Sequence, residues 1–247
     1  MNFLSLFKRN LIYKFKKKIP IDNDNIISDS LDYLFHEYGS DKANIFKSNQ
    51  KQGHGYSIFY EKKLERYKNK NLNILEIGSY AGASAAAFTK YLPKSKVYCF
   101  DVNISNFKYE SEKINVYGID IINKKKVVKI LNKIFSEQNF NQFDLIIDDG
   151  SHNLSDILIS LKIFFKYLKN NGIYVIEDYK HPNYYKYNKN IDHLLVDQIF
   201  INLNNKQSFI SNIFSNDDQK ELISSIKMIE TFKGNLNDSD ISFITKV

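Results

Sequence analysis

The chain has a single cysteine, Cys99, so it can form neither an internal disulfide nor a cysteine-built zinc site. A lone thiol suits a reducing compartment, and a cytoplasmic location is expected. No apolar run approaches the roughly twenty residues that a membrane span requires. The N-terminus lacks both a sustained apolar core and a small-residue cleavage site, so no signal peptide is expected. Arginine occurs only as Arg9 and Arg66, while lysine, asparagine, isoleucine and tyrosine abound, a bias attributed to genome base composition. Acid is missing altogether from the first twenty residues, which hold Lys8, Arg9, Lys14, Lys16, Lys17 and Lys18. Those six account for most of the net charge of +7, and the remainder carries 29 basic against 28 acidic residues. An electrically balanced body argues against a groove that tracks phosphates, so no nucleic-acid partner is expected.

What is present is a 247-residue chain, 43% apolar and 15% aromatic, enough for one well-buried α/β domain with an embellishment. Its most informative stretch is Phe143-Asp144-Leu145-Ile146-Ile147-Asp148-Asp149-Gly150-Ser151-His152. The apolar run suits a strand buried on both faces of a parallel sheet, and it leads into two acids, a glycine and a histidine. Ile173-Tyr174-Val175-Ile176-Glu177-Asp178 repeats the pattern. Ligands of open α/β sheets bind outside the carboxyl ends of the strands. Adjacent parallel strands would therefore bring Asp149, His152, Glu177 and Asp178 to one edge, a metal-and-base constellation.

Residues 1–20 read as a basic amphipathic helix with Phe3, Phe7, Leu11 and Phe15 in one stripe, stopped by Pro20. Two readings stay open for it: weak contact with an anionic membrane surface or a partner, and a terminal helix packed on its own subunit or a neighbour. Residues 21–71 form a helical extension. Leu31, Leu34, Phe35 and Tyr38 mark one helix ending at Gly39, and Phe59, Leu64 and Tyr67 a second. Between them lie the polar turn Gly39-Ser40-Asp41-Lys42 and the loop Gly53-His54-Gly55-Tyr56. From residue 72 to 247, strands are predicted at 72–77, 96–101, 114–119, 143–148 and 173–177, with helices at 82–92, 123–138, 154–169 and 190–204. Two further strands, 225–232 and 239–246, join through Gly234-Asn235. The expected fold class is α/β, a doubly wound, Rossmann-like sheet, mostly parallel, and its closing antiparallel hairpin after five β/α units points to the methyltransferase variant of that fold. Cys99, inside a predicted strand, reads as core.

Leu75-Glu76-Ile77-Gly78-Ser79-Tyr80-Ala81-Gly82-Ala83-Ser84 is a strand, a glycine turn and a helix start. Gly78 and Gly82 lie four apart, which is not the G-x-G-x-x-G of a dinucleotide site and weakens a nicotinamide dehydrogenase reading. A wide loop that begins with an acid suits a ligand with a cationic end, as S-adenosylmethionine has. Glu76, Gly78, Ser79, Tyr80, Gly82 and Ser84 are the candidate contacts there. Asp101 could accept hydrogen bonds from ribose hydroxyls, Asp120 could reach an adenine edge, and Asp148 is a further candidate contact.

The whole combination resembles the class I S-adenosylmethionine-dependent methyltransferases, and within them the macrocin and mycinamicin VI sugar O-methyltransferases. The matching segments are Tyr38-Gly39-Ser40-Asp41-Lys42, His54-Gly55-Tyr56, Leu75-Glu76-Ile77-Gly78, Ile147-Asp148-Asp149-Gly150-Ser151-His152 and Ile176-Glu177-Asp178. They span roughly residues 30–247. The resemblance implies that Asp149, Glu177 and Asp178 ligate a divalent cation, magnesium by preference, and that His152 is the general base. It also implies that Gly39 to Lys42 (Asp41 and Lys42 among them), His54 and Tyr56 close over cofactor or substrate. The segment after Asp178 departs from the family, and His181 there is an alternative base or a substrate contact. A hard oxygen site of three carboxylates suits magnesium or calcium over zinc. A cation stabilises the alkoxide that develops on a sugar hydroxyl, and histidine changes charge close enough to neutral pH to take the proton. The expected activity is O-methylation of a sugar or glycoside hydroxyl, in surface polysaccharide or glycosylated-metabolite assembly. A catechol, amine or phosphorylated acceptor is the alternative, and a non-catalytic cofactor-binding module is the rival from another class. The family also implies a homo-oligomer.

Overall fold

The computed structural model describes residues 3–185 and 194–247. Its centre is a seven-stranded sheet built from β1 Asn73–Ile77, β2 Lys96–Asp101, β3 Ile114–Gly118, β4 Phe143–Asp148, β5 Leu168–Glu177, β6 Ile226–Lys233 and β7 Asp240–Lys246. The spatial order is β6-β7-β5-β4-β1-β2-β3. Strands β1 to β5 pair in parallel, while β7 runs antiparallel to both β5 and β6. β1 and β4 run parallel, but the order in which successive strands are added reverses between them, so the loops leaving those strands diverge to opposite sides and open a crevice.

The helices are α1 Phe3–Phe15, α2 Leu31–Tyr38, α3 Ser57–Leu64, α4 Ala83–Tyr91, α5 Lys124–Gln138, α6 Leu154–Phe164, α7 His181–Tyr184, α8 Val196–Asn204 and α9 Asn216–Ser225. Alternate strand residues feed two cores, as the period of two requires. Leu75, Ile77, Tyr98, Phe100, Ile146 and Tyr174 face α5, α6 and α8. Ile74, Val97, Cys99, Leu145, Ile147 and Val175 face α2, α3 and α4. Phe35 of α2 and Tyr60 of α3 meet the ring of Phe88 of α4 edge-on, with centroids 5.4 and 5.3 Å away. The helical extension thus covers one face of the sheet and shares its core, which fixes the loops it carries against the strand ends.

Several boundaries differ from expectation. The strand predicted to start at 173 starts at Leu168, and the helix predicted to run to 169 ends at Phe164, followed by a 3-10 turn over Phe165–Tyr167. Phe143 pairs with Leu168 and Leu145 with Ile173, so the intervening residues leave the ladder, with Asn171 at φ 57°. That polar detour hides the strand from a hydrophobic pattern. Helix α9 escaped prediction because only Gln219 and Leu222 are buried in it. The helix predicted at 190–204 is described from Val196, and its first residues fall partly outside the described ones. Helix α1 stops at Phe15, ahead of Pro20. Ile19–Pro20 instead pairs in parallel with Tyr109–Glu110, where a proline, lacking an N–H, is tolerated as part of an edge. Among the described residues no helix is long and apolar enough to cross a membrane.

The start of α9 makes a clean acid-stability probe. Asp218 accepts from Ser215 N–H and Oγ at 2.8 and 2.6 Å and from Lys162 Nζ at 2.8 Å. The Lys162 ammonium, then Ser215, holds its carboxyl down to about 2. Because the folded value lies below the unfolded one, this contribution is complete above the usual carboxylate range and vanishes as pH falls through about 2. Asp218→Ala is expected to cost about 1 kcal/mol at neutral pH. The difference between the two urea midpoints should hold down to about pH 4 and then shrink.

Candidate active site

The carboxyl ends of β1, β2 and β4, with the turn that follows α2, enclose a cavity of about 970 Å3. Of the sequence-predicted cofactor contacts, Asp41, Lys42, Gly78, Ser79, Tyr80, Ser84, Asp101, Asp120 and Asp148 stand on its wall. Glu76, Gly82 and Tyr56 do not, and each has a physical reason. Glu76 is fully buried one layer behind the wall, accepting a hydrogen bond from Ser84 Oγ, and burial raises its pKa. Gly82, at φ 77°, opens α4 with its Cα against the Phe107 ring; a Cβ there would sit 2.4 Å from it. Tyr56 is buried and turned toward Asp178. Asp101 pins the first loop to the second strand: its oxygens accept from Tyr80 N–H at 2.7 Å and Asn103 N–H at 2.6 Å.

Gly78 is where only glycine fits. Its φ is 87°, its N–H donates to Phe100 C=O at 2.8 Å, and a Cβ would lie 1.9 Å from Asp149 O. Gly78→Ala is expected to lose about 1–3 kcal/mol to backbone strain alone. Because it also pushes Asp149 aside, cofactor binding should fall with it; calorimetry and a thermal melt of the variant check both.

Beside this cavity the turns after β4 and β5 converge. His152 Nε2 lies 3.6 Å from Asp149 Oδ1 and 3.9 Å from Asp178 Oδ2. One ligand atom from each of Asp149, His152 and Asp178 falls within 4.8 Å of the others. Three non-glycine residues at these strand ends adopt left-handed backbone: Tyr80 at φ 42°, His152 at 55° and Asp178 at 51°. Such strain persists only where surrounding contacts hold it, and it concentrates at functional sites. At Asp178 those contacts are Tyr56 Oη, which donates to Oδ1, and His54, whose Nδ1 is 3.4 Å from Oδ1 and 2.8 Å from Ser239 Oγ. Burial would raise the Asp178 carboxyl, but His54, His152 and Tyr56 bring it below its ordinary value. Burial would lower His54, and Asp178 carries it up to about 9. Asp148 accepts from Gly150 N–H at 3.3 Å, and burial pushes it up to about 7. His181, on α7, places its ring 5.6 Å from that of His152 and stacks on Tyr185.

Glu177 sits differently from the expected ligand set. Its Oε2 accepts from Lys42 Nζ at 2.5 Å and its Oε1 from Tyr60 Oη at 2.5 Å, with the residue 1% exposed. The same Lys42 Nζ is 2.5 Å from Asp149 Oδ2. Burial disfavours a charged lysine, yet Asp149 and Glu177 hold its pKa well above the ordinary value. One ammonium is thus shared by two carboxylates, and burial pushes Glu177 up to about 8. The cluster that remains, two carboxylates and an imidazole, fits a divalent cation by the chemistry of its donors. Sequence reasoning placed Lys42 as a cofactor contact and missed its bridging role. It also missed Tyr60, which reads as a core aromatic on α3 and carries no motif.

Residues 75–179 match a family model described as a methyltransferase domain. Mycinamicin VI 2''-O-methyltransferase of Micromonospora griseorubida is 25% identical over 132 residues, covering 51% of this chain and 31% of that protein. L-olivosyl-oleandolide 3-O-methyltransferase of Streptomyces antibioticus is 29% identical over 155 residues, 60% of this chain and 36% of its own. The chain thus spans about a third of the length of the curated relatives it matches. MycE methyltransferase from the mycinamycin biosynthetic pathway, solved in complex with Mg, SAH and mycinamycin VI, superposes with a TM-score of 0.65 at 18% identity. That match covers 88% of this chain and 54% of the MycE chain, and it establishes the likeness of fold. The segment that matches the methyltransferase-domain model, 75–179, also supplies β2, β4 and most of the cavity wall.

Proposed function

We propose that this protein is an S-adenosylmethionine-dependent O-methyltransferase that acts on a sugar hydroxyl of a glycosylated small molecule. The observation that carries the reading is the Asp149–His152–Asp178 cluster beside a cavity whose wall also holds Asp101 and Asp120. Asp101 and Asp120 are suited to the ribose and adenine of the cofactor, and the Gly78 turn lets the backbone approach it. S-adenosylmethionine supplies an electrophilic methyl group. His152 removes the proton of the acceptor hydroxyl, and the charges of Asp149 and Asp178, 3.6 and 3.9 Å from its Nε2, favour the imidazolium that forms. The same two carboxylates, with His152 at their side, would hold a divalent cation. Bound there, the cation would stabilise negative charge on the acceptor oxygen. Lys42 offsets one unit of the negative charge that Glu177 and Asp149 share, and α2 and α3 exclude water from behind the site.

The acceptor class is supported by the relatives, named for methylation of mycinamicin VI and of L-olivosyl-oleandolide. They favour a glycosylated metabolite over capsule or surface polysaccharide. The test is isothermal titration with S-adenosylmethionine, with and without magnesium, on the parent and on Asp149→Ala/Asp178→Ala. Both proteins should bind the cofactor, and only the parent should bind magnesium. A panel of vicinal-diol glycosides should then give chelator-sensitive methylation in the parent alone. Cofactor binding without magnesium binding would remove the cation from the mechanism. Absence of cofactor binding would overturn the reading.

A further inference from the structure

Helix α1 has two unlike sides. Toward the protein, Leu6 is buried, Asn10 Nδ2 donates to Gly118 O at 3.3 Å, and Tyr13 meets the Phe107 ring edge-on at 6.2 Å. Lys16 Nζ donates to Ser105 O and Asn106 O at 2.9 and 3.1 Å. These contacts fasten the helix across the edge of the sheet at β3. On the other side Phe7, Leu11, Ile12 and Phe15 are 57, 46, 46 and 78% exposed. They form one outward stripe, and Phe7, Leu11 and Phe15 in it belong to the apolar face for which the sequence left both a membrane or partner contact and packing on a subunit open. Lys8, Lys14 and Lys17 are exposed around the stripe, and no acid occurs in the first twenty residues.

Apolar side chains flanked by exposed lysines select the occupant. A second copy of this chain, packed by a two-fold axis, would bring the same lysines against each other. An anionic bilayer complements both features, taking rings and branched side chains at the acyl boundary and ammonium groups at the phosphates. We propose that α1 is an interfacial helix that seats the enzyme on an anionic lipid surface through Phe7, Leu11, Ile12 and Phe15, with Lys8, Lys14 and Lys17 at the headgroups. Seating has a direction. Arg9 of α1 donates to Val102 O at 3.3 Å, and Val102 and Ile122 both line the cavity, so the surface would lie beside its rim.

The test is co-sedimentation of the full chain with vesicles of phosphatidylcholine alone and of phosphatidylcholine mixed equally with phosphatidylglycerol. Binding is expected to the mixed vesicles only, and to weaken as salt rises. Leu11→Ser/Phe15→Ser should weaken it about tenfold, and Lys8→Glu/Lys14→Glu/Lys17→Glu roughly a hundredfold. Because every one of these side chains is exposed, unchanged thermal melts will show that the variants fold. No binding to the mixed vesicles at low salt, or binding that neither variant alters, overturns the proposal. So does a solution dimer, seen by analytical ultracentrifugation, that the Leu11→Ser/Phe15→Ser variant dissolves, because the stripe would then belong to a second copy.

Discussion

Replacing His152 is expected to lower turnover by about a hundred- to ten-thousand-fold while leaving cofactor affinity and fold intact. The magnitude is that of a positioned general base, and Asp149 Oδ1 and Asp178 Oδ2 stand 3.6 and 3.9 Å from its Nε2. Alanine would also relax a backbone held at φ 55°, so the informative variant is His152→Asn. Asparagine tolerates the left-handed region and cannot take a proton near neutral pH. Single-turnover kinetics on His152→Asn, beside calorimetry for cofactor and magnesium, separates base from ligand. Loss of turnover with both affinities retained assigns the base. Loss of magnesium binding in step with turnover makes His152 a cation ligand first. Full activity would remove it from the chemistry.

The second large effect is on stability. Lys42 is 2% exposed, and its ammonium is shared between Asp149 and Glu177 at 2.5 Å from each. Lys42→Met keeps an unbranched apolar stem as far as Cε and deletes the ammonium, leaving Glu177 with Tyr60 alone and one Asp149 oxygen without its cation. Breaking a buried pair by removing one partner costs about 3–5 kcal/mol, which lowers the melting temperature by roughly 6–20 °C in a chain of this size. Adding Glu177→Gln should recover part of that loss, because a neutral amide can still accept from the Tyr60 hydroxyl. The double-mutant cycle by thermal denaturation gives the coupling directly. Added magnesium should also stabilise Lys42→Met more than the parent, since it would replace the missing positive charge. A melt indistinguishable from the parent would mean that the triad does not hold the β4 and β5 turns together.

Much of the architecture was legible in the chain because it depends on local pattern. Uninterrupted apolar runs such as Leu145 to Ile147 can only be buried on both faces, and they announced a parallel sheet. Gly78 could be read as a turn that no side chain fits. Paired acids directly after two such runs placed Asp149, His152 and Asp178 at neighbouring strand ends. By contrast, the start of β5 was obscured by the polar residues of its detour, and α9 by a face with little to bury.

The sequence alone determined the doubly wound sheet, the cofactor-type first loop and the acidic pair of strand ends, because these follow from the period of hydrophobic residues and from glycine sterics. Only the tertiary structure decided how the charges are shared. Lys42 and Glu177 are 135 positions apart, and no local rule pairs them. Their meeting depends on α2 and α3 closing over one face of the sheet, which delivers Lys42, Tyr56 and Tyr60 to carboxylates on β4 and β5. The outward turn of the α1 stripe was decided in the same way. A helix with apolar residues on one side and Leu6, Asn10 and Tyr13 on another can pack either way, and the hydrogen bonds offered by Gly118, Ser105 and Asn106 on the sheet edge select which.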